Sequence, residues 1–254
     1  MKEKKLIAFD LYDTCFSIEN GNMAYSQLFF DLGVSDKKRE LKKILLTSNK
    51  SIEEILSDIF NHQKNEGNEV LLDDGIIPTT GEILNTNEMK GLKNSKAVVG
   101  KFSSQFPEGT IRLQLNDFYK NLRNEIDSVS LFPEVTSVLS ELKNRGYKIA
   151  AISNLAQPYI EPLNILLPHV FHYEVLSCEV GLIKPDKKIF DCLKNISGYH
   201  EDQILMVGDS LSSDVQGAKR CGIAPVHLNR NSEGIKYCDA YISISTLQQL
   251  LEIL

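Results

Sequence analysis

The sequence predicts an α/β protein, a doubly wound parallel sheet into which a mainly helical cap domain is inserted. Three observations lead there. From Phe132 onward short apolar runs alternate with helical stretches, and alternating strand–helix units fold as a parallel sheet covered on both faces. Carboxylates close on two such runs: Asp10 ends Leu6-Ile7-Ala8-Phe9, and Asp209 follows Leu205-Met206-Val207-Gly208, with Asp214 just beyond. Residues 18–130 carry helical patterns without that alternation, and read as an insertion.

The elements follow in order. The chain opens on a strand over residues 4–9 and a turn carrying Asp10 to Cys15. Residues 20–62 read as helical. Ser51-Ile52-Glu53-Glu54 is a capping box, and Ile52, Ile55, Leu56, Ile59 and Phe60 form one apolar face behind it. Ser35 is placed to cap the preceding helix. Its Lys37, Lys38, Arg39, Lys42 and Lys43 read as a solvated face; the sharper reading is an electrostatic funnel for an anion. Residues 63–110 are irregular, with glycines at 67, 75, 81, 91, 100 and 109 and with Pro78 and Pro107. Asp74-Gly75 has the chemistry of a hairpin turn, and the whole insert reads as a variable loop of the cap. A helical pattern returns at Ile111, Leu115, Phe118, Tyr119 and Leu122.

Beyond Phe132, Pro133 suits a first helical position. Val135, Val138, Leu139 and Leu142 make the buried face, and Gly146 the C-terminal cap. Strands are expected over 147–152, 171–176, 203–207 and 224–228. Pro185 starts a helix with Ile189, Phe190, Leu193 and Ile196 inside. Ser213-Asp214-Val215-Gln216 has the pattern of a second capping box, and a strand–helix unit over 240–254 closes the chain. The division is therefore a core of 1–17 and 131–254 and a cap of 18–130.

Composition narrows the function. The net charge of −6 weighs against general affinity for nucleic acid or anionic membranes, so an anionic substrate needs a local positive charge. Cys15, Cys178, Cys192, Cys221 and Cys238 are odd in number and form no C-x-x-C pair; they read as reduced thiols of a cytoplasmic protein. The apolar run after the basic Met1–Lys5 is too short for a signal segment, and no stretch has transmembrane length.

In an open parallel sheet the C-terminal strand ends share one crevice, where ligands bind. Acids gathered there suit a hard cation such as Mg²⁺, which takes oxygen ligands and keeps waters for a phosphate. Four segments stand in order: Asp10-Leu11-Tyr12-Asp13-Thr14, Ser153-Asn154, Lys184-Pro185-Asp186 and Gly208-Asp209-Ser210 with Asp214. Together they resemble the haloacid dehalogenase-like hydrolase superfamily, in the branch with a helical cap after the first strand. Gly181-Leu182-Ile183-Lys184-Pro185-Asp186 and Ile189-Phe190 are similar to its third motif, and the resemblance runs from residue 6 to about 222.

The resemblance implies a Rossmann-like core and phosphoryl transfer from a small phosphorylated metabolite through an aspartyl intermediate. Asp10 is then the nucleophile. Thr14 and Ser153 position it or bind phosphoryl oxygens, with help from Asn154, and Lys184 neutralises the transferring group. Asp10, the Tyr12 carbonyl, Asp209 and Asp214 form the implied Mg²⁺ site. Oligomeric state stays open.

One position departs from the pattern. Phosphatases of the family carry an acid two residues after the nucleophile; here that residue is Tyr12, and Asp13 comes one residue late. A free tyrosine titrates near ~10, a poor base at neutral pH. Haloacid dehalogenases are similar here, with tyrosine in a D-x-Y-G-T motif, and need neither leaving-group proton nor metal; they lack the Gly208-Asp209 pair. Tyr12 is either a packing residue or has a catalytic role. The rivals to a Mg²⁺ phosphatase are a metal-independent dehalogenase, with Arg39, Arg112 or Arg123 as halide cradle, and a phosphate-binding regulatory protein without turnover. His169 and His172 lack the Glu of a zinc helix motif, and Cys15, with no base nearby, reads as core.

Overall fold

The structure, a computed structural model, describes residues 4–19, 24–33, 38–52, 54–56 and 108–254, with 108–113 as backbone alone. Two compact units emerge, Met1–Asn49 with Tyr119–Leu254, and Lys50–Phe118. In chain order the elements are β1 (Leu6–Phe9), β2 (Phe16–Ile18), α1 (Ala24–Asp31), α2 (Lys38–Leu46), α3 (Glu108–Asp127), β3 (Val129–Leu131), α4 (Val135–Asn144), β4 (Lys148–Ser153), α5 (Ile160–Leu166) and β5 (Tyr173–Leu176). There follow α6 (Ser177–Val180), α7 (Lys187–Ser197), β6 (Ile204–Gly208), α8 (Gln216–Arg220), β7 (Ala224–Leu228), β8 (Lys236–Tyr237), β9 (Ile242–Ile244) and α9 (Leu250–Ile253).

Among the described residues seven strands form one sheet in the order β5-β4-β1-β6-β7-β9-β8. Every neighbouring pair is parallel except β8 with β9. The chain winds outward from β1 through β4 to β5, then returns to the other side of β1 as β6. That reversal makes β1 and its neighbours the switch point at which a ligand crevice forms. Both faces are covered, as expected. Leu6 and Ala8 of β1, Ala150 and Ile152 of β4, and Ile204 and Met206 of β6 pack with Ile189, Phe190 and Leu193 of α7 and with Ala218 of α8. The alternate residues Ile7, Phe9, Ile149, Ala151, Leu205 and Val207 are buried too, on the opposite face.

Several expectations meet the structure with small changes. Val135, Val138, Leu139 and Leu142 are buried, but α4 begins at Val135 with Glu134 at the cap, two residues after Pro133. Helix α7 is capped by Asp186, whose carboxylate accepts from Lys188 N (2.9 Å), so Pro185 lies outside it. Ile196 is 47 % exposed, because the face that packs on the sheet ends at Leu193. The capping box expected at Ser213 is not formed. Ser210 is the cap instead, accepting from Ser213 N (3.2 Å). The chain then runs through a π-helical turn, Leu211–Val215, before α8. Asp214 is fully buried and its carboxylate pairs with Lys184.

Phe16–Ile18 and Val129–Leu131 pair as a two-stranded antiparallel ribbon that the sequence reading did not anticipate; three residues are too few for an alternation to show. In the smaller unit the Ser51 capping box is formed: Ser51 N donates to Glu54 Oε2 (2.8 Å) and Glu54 N to Ser51 Oγ (3.2 Å). Ile52, Ile55 and Leu56 are buried behind it. Helix α3 covers the returning helical pattern and begins at Glu108. Ile59, Phe60, Ser35, Lys37, the Asp74-Gly75 turn and the insert up to residue 107 lie outside the described residues. On α2, Lys38, Arg39, Lys42 and Lys43 are exposed around the buried Leu41 and Leu45, a solvated face. All five cysteines are free. Among the described residues no helix is long and apolar enough to cross a membrane.

Candidate active site

The sheet register brings the site together. Phe9 lies level with Ala151 of β4 and Val207 of β6, so the residues that follow each strand emerge at one edge. Asp10 follows β1, Asp209 follows β6, and Ser153 ends β4, its side chain 1 % exposed. Asp10 N donates to the Val207 carbonyl (2.9 Å), which ties the first residue of the loop to the sheet. The loop then closes on itself: the Cys15 and Phe16 amides donate to the Leu11 carbonyl (2.6 and 2.8 Å), and Asp13 N to the Phe16 carbonyl (2.8 Å). Asp13 takes a left-handed conformation, φ 62°, to make that turn.

Carboxylate oxygens of Asp10, Asp209 and Asp214 all lie within 4.8 Å of one another. Lys184 reaches into this group from the loop before α7. Its Nζ is 2.9 Å from Asp10 Oδ1 and 2.7 Å from Asp214 Oδ1, with the lysine side chain 1 % exposed. Burial alone would lower the Lys184 pKa, but Asp10 and Asp214 more than offset it and hold the ammonium charged. Asp214 also accepts from Ser210 N (3.0 Å); burial nevertheless raises its pKa, against the pull of Lys184. Asp209 is pushed up to about 7, by burial first and then by the charges of Asp10, Asp214 and Asp13.

Three close carboxylates against one ammonium leave negative charge uncompensated in a poorly hydrated place. An all-oxygen donor set with that surplus fits a hard divalent cation such as Mg²⁺. Gly208 shows how tightly the set is built: a Cβ at this position would fall inside the Asp214 carboxylate, so only glycine admits Asp214 to the cluster.

The remaining sequence-selected residues divide. Thr14 is fully buried and its Oγ1 faces Asp209 Oδ1 at 3.4 Å. Asn154 is occupied with the backbone of Lys184: Nδ2 donates to the Lys184 carbonyl (2.8 Å), and Lys184 N donates to Oδ1 (2.7 Å). Both side-chain atoms are thus bonded to the backbone of the lysine. Tyr12 is engaged by Tyr159 and Phe16. Its hydroxyl donates to the Tyr159 carbonyl (2.8 Å), and its ring meets Phe16 and Tyr159 at centroid distances of 5.5 and 5.6 Å. Burial raises the phenol pKa, so it stays protonated at neutral pH. Cys15 is buried and its thiol is pushed up by burial, as suits a core residue. His172 accepts at Nδ1 from Ile149 N (3.2 Å), a packing role. Arg123 pairs with Asp127 and Glu161, Arg39 is exposed on α2, and the side chain of Arg112 lies outside the described residues.

Sequence reasoning missed the residues that brace the site. His227 Nε2 donates to the Asp209 carbonyl (2.9 Å). Ser177 Oγ accepts from Leu155 N (3.0 Å), just past Asn154. Glu125, 3 % exposed, accepts from the Tyr159 hydroxyl (2.5 Å) and from Ala24 N (2.7 Å) at the start of α1. Arg230 binds the Thr14 carbonyl (2.8 Å). The available signal was position: His227-Leu228-Asn229-Arg230 leaves β7 at the edge that carries Asp10 and Asp209.

Fold and site together define a hydrolase of a known class. Residues 4–222 match the model of the haloacid dehalogenase-like hydrolases, and the chain belongs to that family. It is 37 % identical over 101 residues to a glyceraldehyde 3-phosphate phosphatase of Methanopyrus kandleri, spanning 39 % of this chain and 43 % of that one. It is 34 % identical over 147 residues to a pyrimidine 5'-nucleotidase of Escherichia coli, spanning 54 % and 63 %. The matched stretches thus cover less than two thirds of these relatives. The fold is shared with a phosphatase of the family from Thermococcus onnurineus (TM-score 0.56, 23 % identity, 98 % and 97 % covered). A 2-haloacid dehalogenase from Pseudomonas syringae is as similar in fold (TM-score 0.57, 20 % identity, 98 % and 97 % covered).

Proposed function

We propose that this hydrolase is a cytoplasmic Mg²⁺-dependent phosphatase that acts on a small phosphorylated metabolite, with Asp10 as nucleophile. The observation that carries the reading is the close cluster of Asp10, Asp209 and Asp214, with the buried Lys184 bridging Asp10 and Asp214. A dehalogenase, which works without a metal, has no use for the surplus carboxylates. Relatives named as phosphatases of glyceraldehyde 3-phosphate and phosphoserine, and as a pyrimidine nucleotidase, support the substrate class.

In this reading the Asp10 carboxylate attacks phosphorus. A bond forms from Asp10 to phosphorus as the ester P–O bond breaks, and the leaving oxygen takes its proton from water, because the Tyr12 hydroxyl is already donated to Tyr159. Water then attacks phosphorus as the bond to Asp10 breaks, its proton passing to the hydroxide left in solvent by the first step, which releases inorganic phosphate and restores Asp10. Lys184 holds the Asp10 carboxylate in place and offsets charge on the transferring group. Thr14 and Ser153 line the same edge and bind or orient the phosphoryl oxygens. Asp10, the Tyr12 carbonyl, Asp209 and Asp214 would hold Mg²⁺, which would supply further charge neutralisation. Residues 18–130 act as the cap that selects the substrate.

The test is a panel of phosphate monoesters and 2-haloacids, assayed with Mg²⁺ and with chelator. Mg²⁺-dependent release of phosphate is the expected result. Halide release that persists in chelator would replace this reading with the dehalogenase one.

A further inference from the structure

The loop after β7 carries a cation that the motif residues do not account for. Arg230 stands two residues past the end of β7. Its Nη2 donates to the Thr14 carbonyl (2.8 Å) and its Nη1 to Glu134 Oε1 (2.8 Å). The guanidinium carbon lies 3.4 Å from the centroid of the Phe132 ring, and the side chain is 23 % exposed. Nε is buried without a hydrogen-bond partner. A buried donor left unmet is a poor choice for stability alone. What arginine uniquely offers is a planar fork that reaches two acceptors at once while stacking on a ring.

The three groups it touches share one place in the fold. Thr14 precedes β2 by two residues, and Phe132 follows directly on β3. These are the roots of the ribbon that leads the chain out after Ile18 and back at Val129. Phe132 N also donates to the Cys15 carbonyl (3.1 Å), so the two roots are bonded beneath the guanidinium. Glu134 is the residue before α4 and accepts in turn from Leu247 N (3.4 Å), which anchors the arginine to the core. On the other side of the same peptide, Thr14 Oγ1 faces Asp209.

We propose that Arg230 is a positioning residue: it pins both ribbon roots, at Thr14 and Phe132, and so holds the loop from Asp10 to Phe16 in register with Asp209. The proposal rests on Asp10 being the nucleophile. Arg230 does not touch the carboxylate cluster, so its loss misaligns the attacking oxygen without removing a substrate contact. Misplacement of this kind costs roughly ten- to a hundred-fold in turnover.

The experiment uses the full chain with Arg230→Met, Arg230→Lys and Arg230→Ala, p-nitrophenyl phosphate as substrate, and amide hydrogen exchange as an independent readout. Arg230→Met is expected to lose kcat by about that factor with KM within about two-fold. Arg230→Lys keeps the charge but has no fork, so it recovers little; ethylguanidinium restores turnover to Arg230→Ala. In all three, the amides of Cys15, Phe16 and Phe132 exchange faster while those of β1 and β6 do not change. A folded Arg230→Lys or Arg230→Met with wild-type kcat and wild-type exchange overturns the proposal, as does a loss confined to KM. If the wild type turns over no phosphate ester, the nucleophile reading fails by itself, and the exchange pattern still decides whether Arg230 pins the roots.

Discussion

Replacing Tyr12 separates packing from catalysis at the position where the chain departs from the phosphatase motif it otherwise resembles. The structure gives its hydroxyl to the Tyr159 carbonyl and its ring to Phe16 and Tyr159. Tyr12→Phe removes one hydrogen bond, roughly 0.5–1.5 kcal/mol of stability, which lowers the melting temperature by about 2–4 °C for each kcal/mol in a chain of this size. Turnover is expected to stay within about three-fold of wild type, since the hydroxyl takes no part in proton transfer. Tyr12→Asp also loses two aromatic contacts, each worth ~0.5–1.5 kcal/mol, for a total of roughly 1.5–4.5 kcal/mol. It gains a leaving-group acid. Hydrolysis of alkyl phosphates is expected to rise at least ten-fold, about 1.4 kcal/mol of barrier. The gain shrinks for aryl and acyl phosphates, whose leaving groups depart without a proton. Calorimetric melts and steady-state kinetics on the three ester classes make the check. A hundred-fold loss of kcat in Tyr12→Phe would refute the reasoning, because it would make the phenol itself the acid. So would Tyr12→Asp with no gain on alkyl esters in a folded, Mg²⁺-binding protein.

Three other outcomes follow from the same geometry. Lys184→Met leaves the buried Asp214 and the part-buried Asp10 without their shared counter-ion. A loss of about 3–5 kcal/mol is expected, with added Mg²⁺ raising the melting temperature more than in wild type. Gly208→Ala drives a methyl into the Asp214 carboxylate; stability falls by roughly 1–3 kcal/mol, and a Mg²⁺ titration by calorimetry shows binding weakened at least about ten-fold. Asp209→Ala keeps the fold and abolishes Mg²⁺-dependent turnover, measured as phosphate release across a metal titration.

The fold was legible because its signals are local. Leu6–Phe9 and Ile204–Gly208 are apolar runs ending at an acid, and a parallel sheet aligns such ends without further instruction. Asp10, Lys184 and Asp209 could be selected for that reason. What escaped depends on contacts between distant segments. Arg230 meets Thr14 across 216 positions, and Tyr12 meets Tyr159 across 147; no spacing rule encodes either. Asn154 was chosen for the right neighbourhood, yet its bonds go to the Lys184 backbone, an orientation set by how the two loops cross. Asp214 was selected for the site, but the capping box read around it did not form. Ser213-Asp214-Val215-Gln216 has a helix-start pattern, but the demand of Lys184 for a second carboxylate outweighs the local preference.

The claim that Asp10 forms a phosphoryl intermediate has one direct measurement. Borohydride added during steady-state turnover of a phosphate ester reduces an aspartyl phosphate to homoserine, which peptide mass spectrometry locates. Homoserine at position 10, dependent on substrate and on Mg²⁺ and missing from Asp10→Asn, is the expected result. Turnover of the ester with position 10 unmodified, or with the label on another residue, would contradict it.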